Sequence, residues 1–215
     1  MQLQERFGQD LVILSSPLLD IRPTGQAINT DGVAGLIFTS ANSVQFGVPG
    51  MRCYTVGDAT AQAAEAMNMS AISAGSDVEG LIKRILADNE HGPLLHIRGE
   101  HSRGNVAERL TEAGCLTRDV IAYRQVALNL TTEAKTALGS KSPVIVPIFS
   151  PRTAQVFSSQ WLGGGNIHAV ALSPAVAEMI EHIPEDRVTI AAMPNAQAVL
   201  DVIEGLIDAA RPLEG

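Results

Sequence analysis

The chain has 215 residues, of which 46% are hydrophobic and 4% aromatic, with a mean hydropathy of +0.15, so its cores must be built mainly from Ala, Val, Ile and Leu. A formal charge of −8 and a pI near 5.1 exclude a nucleic-acid surface, which needs a basic stripe to displace counterions, and the scattered Lys and Arg form no polybasic membrane patch. Cys53 and Cys115 are too few for a disulfide framework and lack metal-ligand spacing, and no apolar run approaches the roughly 20 residues of a membrane-spanning helix.

From the N-terminus, residues 1–6 carry no basic region followed by an apolar stretch, so no secretory signal is expected and the chain reads as a soluble cytoplasmic protein with reduced thiols. A strand is predicted at 11–14, then a connector at about 17–24 that is held extended by Pro17 and Pro23. Strands at 35–38 and 53–56 follow, then a helix at 58–67, a strand at 71–73 and a helix at 78–88. That last helix places Val78, Leu81, Ile82, Ile85 and Leu86 on one face. A strand at 94–97, a helix at 105–113 and a strand at 120–123 lead into a second strand-like connector, about 120–128. Beyond it come a helix at 131–138, a strand at 144–149, a helix at 153–161, a strand at 167–171, a helix at 174–182, a strand at 188–191 and a helix at 196–209. Gly163–Gly165 is a loop that matches no dinucleotide fingerprint. Short apolar strands alternating with amphipathic helices predict parallel sheets covered by helices.

The chain also repeats itself. Leu36-Ile37-Phe38-Thr39-Ser40 returns as Val146-Pro147-Ile148-Phe149-Ser150, Thr55-Val56-Gly57-Asp58 as Val170-Ala171-Leu172-Ser173, and Ser76-Asp77-Val78 as Pro194-Asn195-Ala196. The offset drifts only from 110 to 118 residues, the size of a small domain. Two similar flavodoxin-like α/β domains are therefore expected. One is inserted at 24–122, and the other is discontinuous, built from 1–19 and 128–215, with the two connectors forming a hinge and the domains facing each other across a cleft. A weaker echo pairs 107–114 with 1–8. In the inserted domain that helix is preceded by a strand and a loop, so by internal symmetry the end-built domain lacks its first strand.

Polar residues gather where strands turn into helices. These are Thr39, Ser40, Asn42 and Ser43; Gly57, Asp58 and Thr60; Ser76 and Asp77; and Arg98, Gly99, Ser102, Arg103 and Asn105. Ser150 with Thr153, Ser173, and Asn195 hold the matching turns of the other half. Ser, Thr, Asn and Asp are N-cap residues in any protein. In open α/β sheets, however, these turns lie at the carboxyl ends of the strands, where free N–H groups and the positive helix ends receive anions such as carboxylates. The five histidines are dispersed and suggest no metal site. Tyr123, in the second connector, is the candidate acid: its phenol either projects into the cleft to protonate a leaving group or packs as a hinge anchor.

Ile37–Asn42, Val56–Ala61, Leu95–Glu100, Val120–Arg124, Phe149–Arg152 and Pro17–Ile21 together resemble, in order and over nearly the whole chain, the uroporphyrinogen-III synthase family. The resemblance implies two α/β domains and a lyase that expels the hydroxyl of linear hydroxymethylbilane as water, inverts ring D and closes the macrocycle of tetrapyrrole biosynthesis. It implies no metal or organic cofactor, no nucleic-acid or membrane partner, and a monomer. It carries substrate binding onto Thr39, Ser40, Asn42, Gly57, Thr60, Arg98, Arg103, Ser150 and Ser173, to which the turn pattern adds Ser76 and Gly99, and the acid onto Tyr123. The chain departs from the family in lacking an opening strand with a Thr-Arg-Pro end, and in carrying Ser173 and Val176 where the second Gly-Pro-x-Thr turn is expected. The rivals are a two-domain anion-binding protein without chemistry and a non-catalytic synthase-like domain that pairs through an exposed sheet edge.

Overall fold

Near-continuous apolar runs in the strands, with helical spacing between them, give the central strands two faces to bury and helices to cover both. The computed structural model describes residues 2–8, 11–75, 77–90 and 92–210. In chain order the elements begin α1 (Gln2–Phe7), β1 (Leu19–Pro23), β2 (Gly35–Phe38), α2 (Ala41–Val44), β3 (Arg52–Thr55), α3 (Asp58–Ala66), β4 (Ser70–Ser73), α4 (Val78–Ala87) and β5 (Leu94–Gly99). They continue α5 (Val106–Glu112), β6 (Thr117–Ala127), α6 (Thr132–Leu138), β7 (Pro143–Ile148), α7 (Pro151–Gln160), β8 (Asn166–Ala171), α8 (Pro174–Ala177), β9 (Val188–Ile190) and α9 (Ala196–Ala210). The chain divides into a central unit, Ile21–Val126, and a terminal unit, Met1–Asp20 with Ala127–Gly215.

The central unit is built on a sheet of order β1-β6-β5-β2-β3-β4, in which β2 through β6 run parallel. Alternation divides its core. Leu36, Phe38, Cys53, Leu95 and Ile97 face Val44 of α2 and Ala64 of α3, while Ile37, Tyr54 and Leu94 face Leu81, Ile82 and Ile85 of α4 and Leu110 of α5. Counted from β2, the parallel strands lie in the order 3-2-1-4-5, not the flavodoxin order 2-1-3-4-5, which corrects that part of the expected fold. The reason is the return through α4, which covers the opposite face from α2 and α3 and sets β5 on the far side of β2. The strand order therefore reverses between β2 and β5, and open α/β sheets bind ligands outside the carboxyl ends at such a point.

The terminal unit has a parallel sheet of order β7-β8-β9. Ile148, Ala169 and Ala171 pack against Ala134 and Leu138 of α6, Ala154 and Phe157 of α7, and Val176 of α8. On the other face Val170 meets Phe7 of α1 and Val199, Leu200 and Ile203 of α9. Arg6 of α1 pairs with Asp201 at 3.2 Å and with Glu204, so two acids of the α9 face hold α1.

Two predicted elements are corrected here. Residues 11–14 form no strand; Val12 is 90% exposed. In the central unit β6 takes its ladder bonds from β5 rather than from β2. Among the described residues no strand lies beside β7 on the side away from β8, so segment 11–14 has no backbone to pair with. The helix predicted at 174–182 stops at Ala177 and tightens into turns, with Met179 N–H donating to Val176 and Ile180 N–H to Ala177. Ser158 of α7 ends it: its hydroxyl donates to the Met179 carbonyl at 3.0 Å and accepts from Glu181 N–H at 2.9 Å.

Candidate active site

Immediately after β2, Ser40 adopts an extended conformation and caps α2, its Oγ accepting from Asn42 N–H at 3.3 Å while its carbonyl accepts from the Ser43 hydroxyl at 2.6 Å. Thr39 belongs to the opposite face of the strand and is hydrogen-bonded through Oγ1 to His96 Nε2 at 3.2 Å. Burial, helped by the Arg98 charge, pushes the His96 pKa down to about 4, so this imidazole stays neutral and orients Thr39 without adding charge.

Opposite lies Tyr123, on the part of β6 that pairs with Gly99 at the end of β5. Its ring stacks on Phe46 at 5.8 Å between centroids with the planes 5° apart. The other side of the ring rests against Gly99, where an added Cβ would sit 2.7 Å from Cζ. Glu100 N–H donates to the Tyr123 carbonyl at 2.9 Å. Burial raises the phenol's pKa, and the Ser40 hydroxyl draws it partly back. Phe46 and Gly99 thus hold one phenol beside Ser40 at the point where the strand order reverses.

The remaining turns of the central unit differ in what they leave available. Gly57 caps α3 at φ +75°, a conformation that suits glycine, and donates its N–H to the Gly75 carbonyl at 2.7 Å, tying two turns together. Thr60 is buried in α3, and Asn42 is exposed. Asp77 caps α4 through Gly80 N–H at 2.8 Å, whereas Ser76 lies outside the described residues, as does His91. Arg98 is committed internally: it pairs with Asp119 and donates to the Gly99 carbonyl at 3.1 Å. Arg103 is exposed and has no partner among the described residues.

In the terminal unit Ser150 caps α7 through Thr153 N–H at 3.1 Å, and the two hydroxyls are 2.8 Å apart. Asn195 does the same for α9 through Ala198 N–H at 2.9 Å. Ser173 is different. It stands at the N-cap of α8, half-buried, with no hydrogen-bond partner for its hydroxyl among the described residues. Among the described residues no group of His, Cys, Asp and Glu could hold a metal ion, and no helix is long and apolar enough to cross a membrane.

The family profile described as Uroporphyrinogen-III synthase HemD matches residues 3–201. The chain belongs to the uroporphyrinogen-III synthase family. This is an enzyme family of tetrapyrrole biosynthesis, so the protein has its place in that chemistry. The fold is similar to that of uroporphyrinogen-III synthetase from Helicobacter pylori, with 20% identity, 88% of this chain and 91% of that one covered and a TM-score of 0.67. It is also similar to a mutant uroporphyrinogen III synthase from Thermus thermophilus, with 12% identity, 97% and 95% covered and a TM-score of 0.54. A search of curated protein sequences finds no match.

Within this synthase fold, three side chains near the turns escaped sequence reasoning. Phe46 follows the quoted Ile37–Asn42 motif, but only the fold brings it onto Tyr123. His96 reads as a strand residue, and its bond to Thr39 depends on the β2–β5 register. Arg152 lies inside the quoted Phe149–Arg152 motif, and its Nε is buried with no hydrogen-bond partner among the described residues.

Proposed function

We propose that this chain is a uroporphyrinogen-III synthase and lyase, converting hydroxymethylbilane to uroporphyrinogen III with inversion of ring D and loss of water. The observation that carries the reading is the Tyr123 phenol, clamped by Phe46 and Gly99 beside Ser40 at the reversal of strand order. In the step assigned to it, the phenol proton passes to the departing hydroxyl as the carbon–oxygen bond breaks, and water leaves. Because burial raises its pKa, the phenol holds its proton throughout neutral pH. The substrate carboxylates are received by backbone N–H groups and hydroxyls at the carboxyl ends of the strands, with Thr39, Ser40, Asn42, Gly57, Thr60, Ser76, Arg98, Gly99, Arg103, Ser150 and Ser173 as the binding set. Ser173 and Arg103, whose hydroxyl and charge have no partner among the described residues, are the members best placed to bond a ligand directly.

The reading carries with it a cytoplasmic monomer, no cofactor, an inserted domain at 24–122 and an end-built domain from 1–19 and 128–215. A second reading, a non-catalytic member that binds a polyanion, is favoured by one observation: Tyr123 is only 4% exposed. Supplying fresh hydroxymethylbilane and measuring the ratio of type III to type I uroporphyrinogen decides between them. Uncatalysed closure gives type I, so type III in excess is the expected result, and type I alone would leave only the binding role. In Tyr123→Phe we expect turnover to fall on the order of a hundredfold, the scale of general-acid catalysis, with KM little changed. An unchanged turnover would remove Tyr123 from the mechanism.

A further inference from the structure

His96 stands in β5 between Leu95 and Ile97 with 1% of its surface exposed. Register sets it beside Ile37 of β2 and two residues beyond Leu94, on the face that α4 and α5 cover with Leu81, Ile85 and Leu110. An imidazole in that layer costs free energy that its hydrogen bonds at best recover, so packing alone would be served as well by leucine. Its Nε2 lies 3.2 Å from Thr39 Oγ1. Thr39, unlike the ring, is half-buried, and it follows β2 where the strand order reverses. Charge is not what the ring brings to this place: its neighbours on the face, Arg98 and Asp119, already pair with each other. It brings a choice of proton. A threonine hydroxyl has one proton and two lone pairs. When it donates to the ring, only lone pairs are left for a ligand. When the ring N–H donates to it, the hydroxyl proton is free to point outward. A carboxylate accepts hydrogen bonds and donates none, so only the second arrangement suits a polycarboxylate substrate.

We propose that His96 is a positioning residue: as the neutral Nε2–H tautomer it donates to Thr39 Oγ1 and so turns the Thr39 hydroxyl proton toward a carboxylate of the substrate. The other ring nitrogen then carries no proton, and the tautomer is held by the bond to Thr39. Thr39 is thereby a donor before the ligand arrives, and no hydroxyl rotation has to be frozen on binding. The proposal rests on the synthase reading for its choice of ligand. It adds a residue of the core that acts on the substrate only through its neighbour.

The test uses the full chain with His96→Leu, which removes the donor, and His96→Gln, whose side-chain amide keeps an N–H at a similar reach. Thr39→Val and the double variant close a cycle. Nitrogen NMR of labelled histidines near neutral pH reads the tautomer, the His96 signals being those lost in His96→Gln. Uroporphyrin III binding is followed by its fluorescence, KM and kcat are measured with hydroxymethylbilane, and thermal midpoints are taken without ligand. We expect the His96 proton on Nε2. His96→Leu should raise KM and weaken uroporphyrin III binding by about three- to tenfold, the worth of one hydrogen bond, with kcat little changed and the midpoint unchanged or higher. His96→Gln should bind nearly as the parent does. Because His96 acts through Thr39, the double variant should bind no more weakly than Thr39→Val alone. A proton on Nδ1, parent-like KM and binding in His96→Leu, or additive losses in the double variant overturn the assignment while leaving the synthase reading intact. A parent chain that neither binds uroporphyrin III nor forms type III product defeats the reading, and the assignment with it.

Discussion

Gly99 shows how tightly the Tyr123 site is defined at the scale of one residue. An added methyl would sit 2.7 Å from Tyr123 Cζ and 3.0 Å from the phenol oxygen, so Gly99→Ala must push the ring off its stack on Phe46. We expect a loss of about 1–3 kcal/mol in urea unfolding, as for other overpacked cores, together with reduced turnover. Parent stability and activity in Gly99→Ala would show that the ring has freedom to spare. His96 gives a second, pH-dependent signature. Its folded pKa of about 4 lies below the ordinary histidine value of 6.5, so the unfolded chain binds the extra proton between those values. Stability is therefore full above pH 6.5 and falls as pH drops toward 4. The shift corresponds to about 3 kcal/mol as an order of magnitude. The difference between parent and His96→Gln should shrink over that window, and a constant difference from pH 7 to 4 would contradict a neutral buried imidazole. Neither contact was legible in the sequence. Ser40, Ser150 and Asn195 could be placed at helix starts from residue type and position alone, because a cap is local. The Tyr123–Phe46 stack, the Thr39–His96 bond and the commitment of Arg98 to Asp119 depend on how β2, β5 and β6 align, which residue types do not encode.

At the scale of elements, β7 explains both a misread strand and a sheet edge. Leu172 N–H donates to the Ile148 carbonyl, so Ile148 faces β8, and by alternation Val146 does too. Pro143, Ile145 and Pro147 then face the open side, where two of three residues have no N–H to offer. In the central unit the residue matching Pro147 is Ile37, whose strand pairs with β5. The apolar alternation that made β7, β8 and the strands of the central unit readable says nothing of such neighbours. That is why segment 11–14 looked like a strand and is not one, and why the strand order 3-2-1-4-5 could not be read. The prolines also argue against the rival in which this edge recruits another chain, since prolines are a common way to blunt an edge. Replacing Pro147 by Ile restores a donor to the open side. We expect Pro147→Ile to self-associate at concentrations where the parent does not, measured by sedimentation velocity. Unchanged sedimentation would mean that the proline is not what keeps the edge closed.

The molecule as a whole consists of two units with separate apolar clusters and unequal sheets. The central unit surrounds β2 with strands on both sides, and β2 is buried along its whole length. Its counterpart β7 is an edge strand among the described residues, half-buried over most of its length. Fewer strand pairs and more solvent contact per strand lower the free energy of local opening, so the terminal unit is expected to unfold first. The aromatic residues make this measurable. The single tryptophan, Trp161, follows α7 in the terminal unit, whereas both tyrosines, Tyr54 and Tyr123, belong to the central one. In urea, tryptophan fluorescence should therefore change at a lower midpoint than the tyrosine bands of the near-ultraviolet circular dichroism. Coincident transitions in the ligand-free chain would mean that the two units unfold as one cooperative body. The stability of the three-stranded half would then have to come from beyond its own sheet.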